Sequence, residues 1–204
     1  MFTEFTLCAL GMVTIVPLHF VSVEHQKLET RFGKEMGRRI GEGLGLVSGW
    51  GFFLFWIGLW VFPQPRFHIP TGPLNPSINL PFTEISIPLL HMLLSMILLL
   101  PGGYLGLFAV RKTSLKVAET HRTERIVTDG VYSVVRHPQY LGGFLAHVGV
   151  SILLSAWFST IITPLIFLLL LLISYKEEKE LVKEFGSEYE EYKGKVSMFI
   201  PRLL

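Results

Sequence analysis

Ile85–Val110, ISIPLLHMLLSMILLLPGGYLGLFAV, decides the fold class. It contains no Asp, Glu, Lys or Arg and exceeds the ~20 residues a helix needs to cross hydrocarbon. Pro101-Gly102-Gly103 is expected to interrupt it. Four further apolar runs flank it: Phe5–Val23, Gly43–Phe62, Leu141–Leu154 and Phe158–Ser174. Each approaches membrane-crossing length once its flanks are counted. The last two are joined only by Ser155-Ala156-Trp157, which predicts a tight helical hairpin. Trp50, Trp56 and Trp60 enrich the second run, and Trp60 is expected near the headgroups. Only 17% of the residues are charged, against about 25% in soluble domains.

The segments between the runs are polar. Glu24–Glu42 reads as a loop carrying Lys27, Arg31, Lys34, Arg38 and Arg39. Pro63–Glu84 holds Pro63, Pro65, Pro70, Pro73, Pro76 and Pro81 and cannot form a regular helix. Arg111–Arg136 is a basic loop, and the tail from Lys176 to Arg202 is again rich in lysine. Basic loops stay cytoplasmic. All three basic segments share one side if there are five spans, with the N-terminus outside and the C-terminus inside. No basic region precedes the first run and no small-residue cleavage pattern closes it, so it reads as a retained span. The expectation is an all-α integral membrane protein with about five transmembrane helices and a C-terminal amphipathic cytoplasmic helix. It is a single domain over 1–204, divided into three N-terminal spans (1–116) and a C-terminal part with the hairpin and tail (117–204). Which cellular membrane holds it is open; the ending Pro201-Arg202-Leu203-Leu204 is no retrieval signal.

Several functional classes are excluded. The net charge of +2 points to no partner, and no basic, aromatic-interleaved face suits nucleic acid. No phosphate loop, GxGxxG fingerprint or nucleophile elbow is present. Cys8 alone builds neither a disulfide framework nor a multi-cysteine metal site, and reads as a small buried hydrophobe. His19, His91 and His147 lie within spans, where polar residues are expensive and often functional. They show no His-x-x-x-His or His-Glu spacing, so no metal site is expected.

Chemistry concentrates in two places. The tail YKEEKELVKEFGSEYEEY has helical amphipathicity, with Leu181, Val182 and Phe185 on one stripe. Glu178 falls in the middle of that stripe and Glu177 at its edge, where a carboxylate is costly without a partner. Alternatively, both acids occupy a first helical turn, favoured by the dipole and solvated. The second place is Arg136-His137-Pro138-Gln139-Tyr140, followed by Gly142 and Gly143. Pro138 suits the first turn of the fourth span, whose free amides could hold an anion. The glycines leave room for a ligand or for a neighbouring helix.

GVYSVVRHPQYLG (Gly130–Gly142), the hairpin, Glu177-Glu178, FGSEYEEYKGKV (Phe185–Val196) and the terminal Ile200-Pro201-Arg202 together resemble the isoprenylcysteine carboxyl methyltransferases. They also resemble the wider membrane group that includes the phospholipid methyltransferases. The likeness spans roughly Glu124–Arg202; the first three spans match only in hydrophobicity. It implies S-adenosyl-L-methionine as cofactor, bound by 117–204 on the cytoplasmic side. The implied pocket residues are Glu124, Arg125, Ile126, Val127, Tyr132, His137, Pro138, Gln139, Tyr140, Glu177 and Glu178. Arg136 and Glu177 are the catalytic candidates, though no base is assigned. The implied partners are the bilayer and a lipophilic or prenylated acceptor, foremost the carboxylate of a prenylated cysteine. A phospholipid amine is the alternative acceptor. In the prenylcysteine enzymes an arginine about four residues before the first glutamate is implicated in substrate handling; Ile173 stands there, and Lys176 or Arg136 are its possible substitutes. Competing readings are a sterol-reductase-like NADPH enzyme, which shares the His-Pro turn, and a non-enzymatic scaffold or small transporter.

Overall fold

The computed structural model describes residues 2–69, 76–79 and 86–202. Pro70, Pro73 and Pro81 of the connector, and Leu203–Leu204, lie outside them. The helices are α1 (Phe2–Ser22), α2 (His25–Phe32), α3 (Lys34–Val61), α4 (Leu89–Thr113), α5 (Leu115–Thr120), α6 (Pro138–Leu153), α7 (Trp157–Ile161), α8 (Thr163–Phe185) and α9 (Ser187–Lys195). Two short strands, β1 (Ser77–Asn79) and β2 (Ser86–Pro88), pair antiparallel in the proline-rich connector, Ile78 opposite Ile87. Three helices, α1, α3 and α4, are long and apolar enough to cross a bilayer. Leu7, Leu10, Leu54, Ile97 and Leu100 on these helices are exposed, a surface suited to lipid rather than water. α6 is shorter, at 16 residues, and the apolar part of α8 ends at Ser174.

Three local expectations are corrected. Glu24–Glu42 is not a loop: it forms α2 and the start of α3, bent at Gly33 with φ 81°. α2 buries only His25 and Leu28, too little apolar pattern to announce a helix. Gly37 packs so closely on α2 that a Cβ there would lie 2.5 Å from the Leu28 backbone. Second, α4 runs unbroken through Pro101-Gly102-Gly103. Membrane helices tolerate such residues when neighbouring helices support them. A Cβ on Gly142 would lie 2.6 Å from the Gly102 carbonyl and 2.7 Å from the Gly106 amide, so these glycines serve the α4–α6 contact. Third, the last apolar run and the acidic stretch are one helix, α8. Glu177 and Glu178 therefore lie several turns inside it, and the first-turn alternative falls away.

Apolar side chains of α1 (Phe5, Cys8, Met12, Val16), α3 (Leu59) and α8 (Ile166, Leu169, Leu170, Ile173) form the core. Polar pins reinforce it where water is absent. Trp56 Nε1 donates to His147 Nδ1 at 2.9 Å, and His147 Nε2 lies 3.0 Å from the Ser159 carbonyl. His91 Nδ1 meets Ser155 Oγ at 2.8 Å. These contacts give His91 and His147 structural roles. At the other end Lys176 Nζ reaches Glu24 at 2.7 Å and Glu180 at 2.9 Å, tying the α1–α2 junction to α8.

Candidate active site

The Arg136–Tyr140 turn is held from below by a strap of the tail. Val135 forms a parallel bridge with Ser197, the Arg136 amide donates to the Ser197 carbonyl at 2.9 Å, and the His137 amide to that of Met198 at 3.2 Å. Pro138 then opens α6 with His137 as its cap residue. The strap directs the side chains inward. Arg136 Nε donates to Glu178 Oε1 at 2.7 Å, and its Nη1 donates to the Val196 and Lys193 carbonyls. His137 Nε2 lies 3.1 Å from the same Glu178 oxygen. Glu178 is only 3% exposed. Burial pushes its carboxyl up, but His137 and Arg136 outweigh burial and hold it below the usual range.

Glu177 lies on the adjoining face among three imidazoles. Tyr140 donates its hydroxyl to Glu177 Oε1. His19 Nε2 is 3.0 Å from that oxygen and His121 Nδ1 3.5 Å, while His137 Nδ1 is 3.7 Å from Oε2. The His19 nitrogen is near in distance but off the hydrogen-bond line. Burial raises the Glu177 carboxyl, yet the three histidines together hold it well below the ordinary carboxylate range. Burial, reinforced by His19, depresses His121 to about 4 and leaves it neutral at neutral pH. The centre is thus a buried carboxylate ringed by imidazoles.

Two cavities meet here. The first is polar and is lined by Arg125, Ile126, Val127, Tyr132, Arg136, His137, Pro138, Gln139, Tyr140 and Glu177. Its enclosed space is about 140 Å³, below the roughly 300–1,000 Å³ of common ligand pockets, so a nucleoside-sized molecule would also fill its open mouth. The second, about 440 Å³, is apolar and runs among α1, α3, α4 and α8 past Val16, Phe52, Trp56, Leu170 and Ile173. His121 and Tyr140 line both. Most of the residues expected from the sequence therefore surround one cavity. Glu124 is exposed and outside its lining; Glu178 is also outside the lining, behind Arg136 and His137.

Comparison with known proteins matches a segment that begins before Glu124 and stops short of Arg202. Residues 90–188 match the phospholipid methyltransferase family. The protein-S-isoprenylcysteine O-methyltransferase of Schizosaccharomyces pombe is 38% identical over 87 residues, covering 41% of this chain and 36% of that protein. That of Saccharomyces cerevisiae is 35% identical over 116 residues, covering 53% and 48%. Methanethiol S-methyltransferase 1 of Bradyrhizobium diazoefficiens is 38% identical over 79 residues, covering 38% and 26%. The chain matches less than half the length of each of these relatives.

The matched segment does not hold the whole site. α1 supplies His19, α2 supplies His25, and α9 supplies Tyr189 and Tyr192, all outside 90–188. Tyr192 donates its hydroxyl to the Tyr132 carbonyl at 2.6 Å, closing the cavity beneath the matched segment. His121 lies inside the matched range, yet no motif marks it. Its backbone is left-handed, φ 55°, at the end of α5, which turns the imidazole inward. Proximity to the pocket stretch beginning at Glu124 was the one sequence signal for it. His19 had another, a polar residue inside an apolar run.

Proposed function

We propose that this chain is an S-adenosyl-L-methionine-dependent membrane methyltransferase acting on a lipid-like acceptor. The observation that carries the reading is the junction at His121 and Tyr140 of a polar and an apolar cavity. The donor chemistry fits the polar side. Glu177 offers a buried negative charge to a cationic donor, the α6 start offers amides to a carboxylate, and Ile126, Val127 and Tyr132 offer apolar surface to a base. When bound, the cofactor supplies a methyl group on a sulfonium. The residues around it hold donor and acceptor in line and exclude water, and this positioning supplies most of the acceleration. Glu178 acts through Arg136 and His137, which it orients. The five-span arrangement, with α6 and α8 as short spans, the N-terminus outside and the tail cytoplasmic, belongs to this reading and is supported by the distribution of basic residues.

Two acceptors have support. The prenylated cysteine carboxylate is supported by the yeast relatives and needs no base, being ionised at neutral pH. A thiol is favoured by Ile173. That residue lines the apolar cavity where the prenylcysteine enzymes place arginine. Both possible replacements are engaged elsewhere: Arg136 by Glu178, and Lys176 by Glu24 and Glu180. A cavity without a free cation suits a soft acceptor on an apolar tail, in keeping with the methanethiol enzyme among the relatives.

Calorimetric titration of the detergent-solubilised chain tests the class. Micromolar binding of S-adenosylhomocysteine, with no heat from NADPH, is the expected result. Binding of NADPH alone would establish the reductase reading instead, and binding of neither would remove the site assignment. Methyl transfer to farnesylcysteine against transfer to a long-chain alkyl thiol then separates the two acceptors.

A further inference from the structure

We propose that His19, His121 and Glu177 form a binding site for one divalent d-block cation, of which Zn²⁺ is the best match, at the junction of the two cavities. The residues come from α1, the end of α5 and α8, and one donor atom from each lies within 4.8 Å of the other two. The 3.5 Å separation of His121 from Glu177 matches the spacing of about 3.3–3.6 Å between neighbouring ligands of a tetrahedral ion with bonds of about 2.0–2.2 Å, and the 3.0 Å separation of His19 falls a few tenths of an ångström short of it. All three side chains are largely buried, at 6%, 12% and 15% exposure.

An independent observation points to a ligand. His121 Nε2 is buried without a hydrogen-bond partner, and buried His19 Nε2 has only the Glu177 carboxylate, at 3.0 Å and off the hydrogen-bond line. Buried polar atoms usually find a hydrogen-bond partner. Two that lack an aligned partner in one cluster, one of them on a membrane-crossing helix, form an expensive arrangement for packing alone. The rings touch edge to face with centroids 4.3 Å apart, so modest rotation turns both toward a shared ion. Tyr140, donating to Glu177, supplies the outer support that metal-binding carboxylates typically have.

The donor set selects the ion. Two imidazoles suit zinc and its neighbours, whereas magnesium and calcium require an oxygen cage. Two histidines and one glutamate also constitute a zinc set that leaves a fourth position open. The ion would sit between the cavities, since His19 and His121 line the apolar one and His121 and Glu177 the polar one. A thiol arriving there would bind as thiolate and release its proton to solvent. Only this identity of the fourth ligand rests on the methyltransferase reading; the ion site rests on the three side chains, and an ion held there takes up the Glu177 charge that the reading offers to the donor. The spacing rule applied to the sequence misses the site because positions 19, 121 and 177 meet only through the fold.

Titration of the metal-stripped, detergent-solubilised full chain with Co²⁺ tests the proposal. We expect one Co²⁺ per chain with the intense visible bands of four-coordinate cobalt. His19→Ala and His121→Ala should each weaken binding at least tenfold, while His68→Ala, an exposed ring on the connector, should leave it unchanged. His121→Cys keeps the site and should add a sulfur-to-cobalt charge-transfer band, which protects the test if an alanine variant fails to fold. Absence of bound Co²⁺, a weak octahedral spectrum, or a spectrum indifferent to His19→Ala and His121→Cys would overturn the site. S-adenosylhomocysteine titration of the same preparation separates the two ideas. Cofactor binding without cobalt sinks only the ion site, and cobalt binding without cofactor sinks only the methyltransferase reading.

Discussion

Glu178 meets two partners in a space that almost excludes water, with Arg136 and Glu178 side chains at 9% and 5% exposure. Removing one member of such a pair strands the other, at a cost of roughly 3–5 kcal/mol. Glu178→Gln should therefore lower the thermal unfolding midpoint in detergent markedly. The double variant Arg136→Met/Glu178→Met should recover part of the loss, because no charge is then left unpaired. An unchanged midpoint in Glu178→Gln would show that the pair is solvated. Placing Glu178 on the apolar stripe, and hence inferring a buried partner, was within reach of sequence periodicity. The partner's identity was not, since Arg136 lies 42 positions away and is aimed by backbone bonds to a tail strap that no pattern announces.

Helices in this molecule meet through absent side chains and through charge clamps. Gly142→Ala drives a methyl group into the Gly102 carbonyl, and a backbone contact cannot rotate aside. Such overpacking costs typically 1–3 kcal/mol, read as a drop in unfolding midpoint. Gly103, on the same stretch of α4, has open space where a Cβ would stand, with nothing within 4 Å, so Gly103→Ala should be neutral or stabilising by up to about 1 kcal/mol. The clamp between the α1–α2 junction and α8 is pH-dependent. Bonds from Lys176 and Lys27 lower Glu24; burial raises Glu180, but Lys183 and Lys176 outweigh it and lower it. Carboxyls lowered on folding add stability that is present above their ordinary value near 4.5 and is lost as pH falls through the folded values. The unfolding midpoint should therefore decline below pH 4.5, and decline less in Lys176→Met. These partly exposed pairs each contribute less than about 1 kcal/mol, so the slope is shallow. Apolar runs marked α1, α3 and α4 plainly in the sequence. α2 and the continuity of α8 were hidden, because a helix that exposes most of its surface, or changes from apolar to charged midway, has no single period.

The whole molecule is a bundle whose apolar flank faces lipid and whose charged end gathers α2, α5, α9 and the end of α8. The orientation can be checked with an impermeant maleimide, since native Cys8 is buried and silent. Ser77→Cys, on the exposed hairpin of the connector, should be labelled in intact cells. Gly194→Cys, on the surface of α9, should react only after permeabilisation. Labelling of the second in intact cells would invert the assignment. The strap at Ser197–Met198 has a consequence for biogenesis. Every apolar helix is synthesised before it and can enter the membrane without it, whereas the Arg136–His137 turn gains its backbone partners only when residues 197 and 198 emerge. A released chain cut short after residue 190 would thus hold its apolar helices in the membrane while the Arg136–His137 turn lacked these partners. Completion of the Arg136–His137 turn would arrive as a late step of maturation, separate in time from insertion, and quality control that reads insertion alone would pass a truncated chain whose turn lacks its backbone partners.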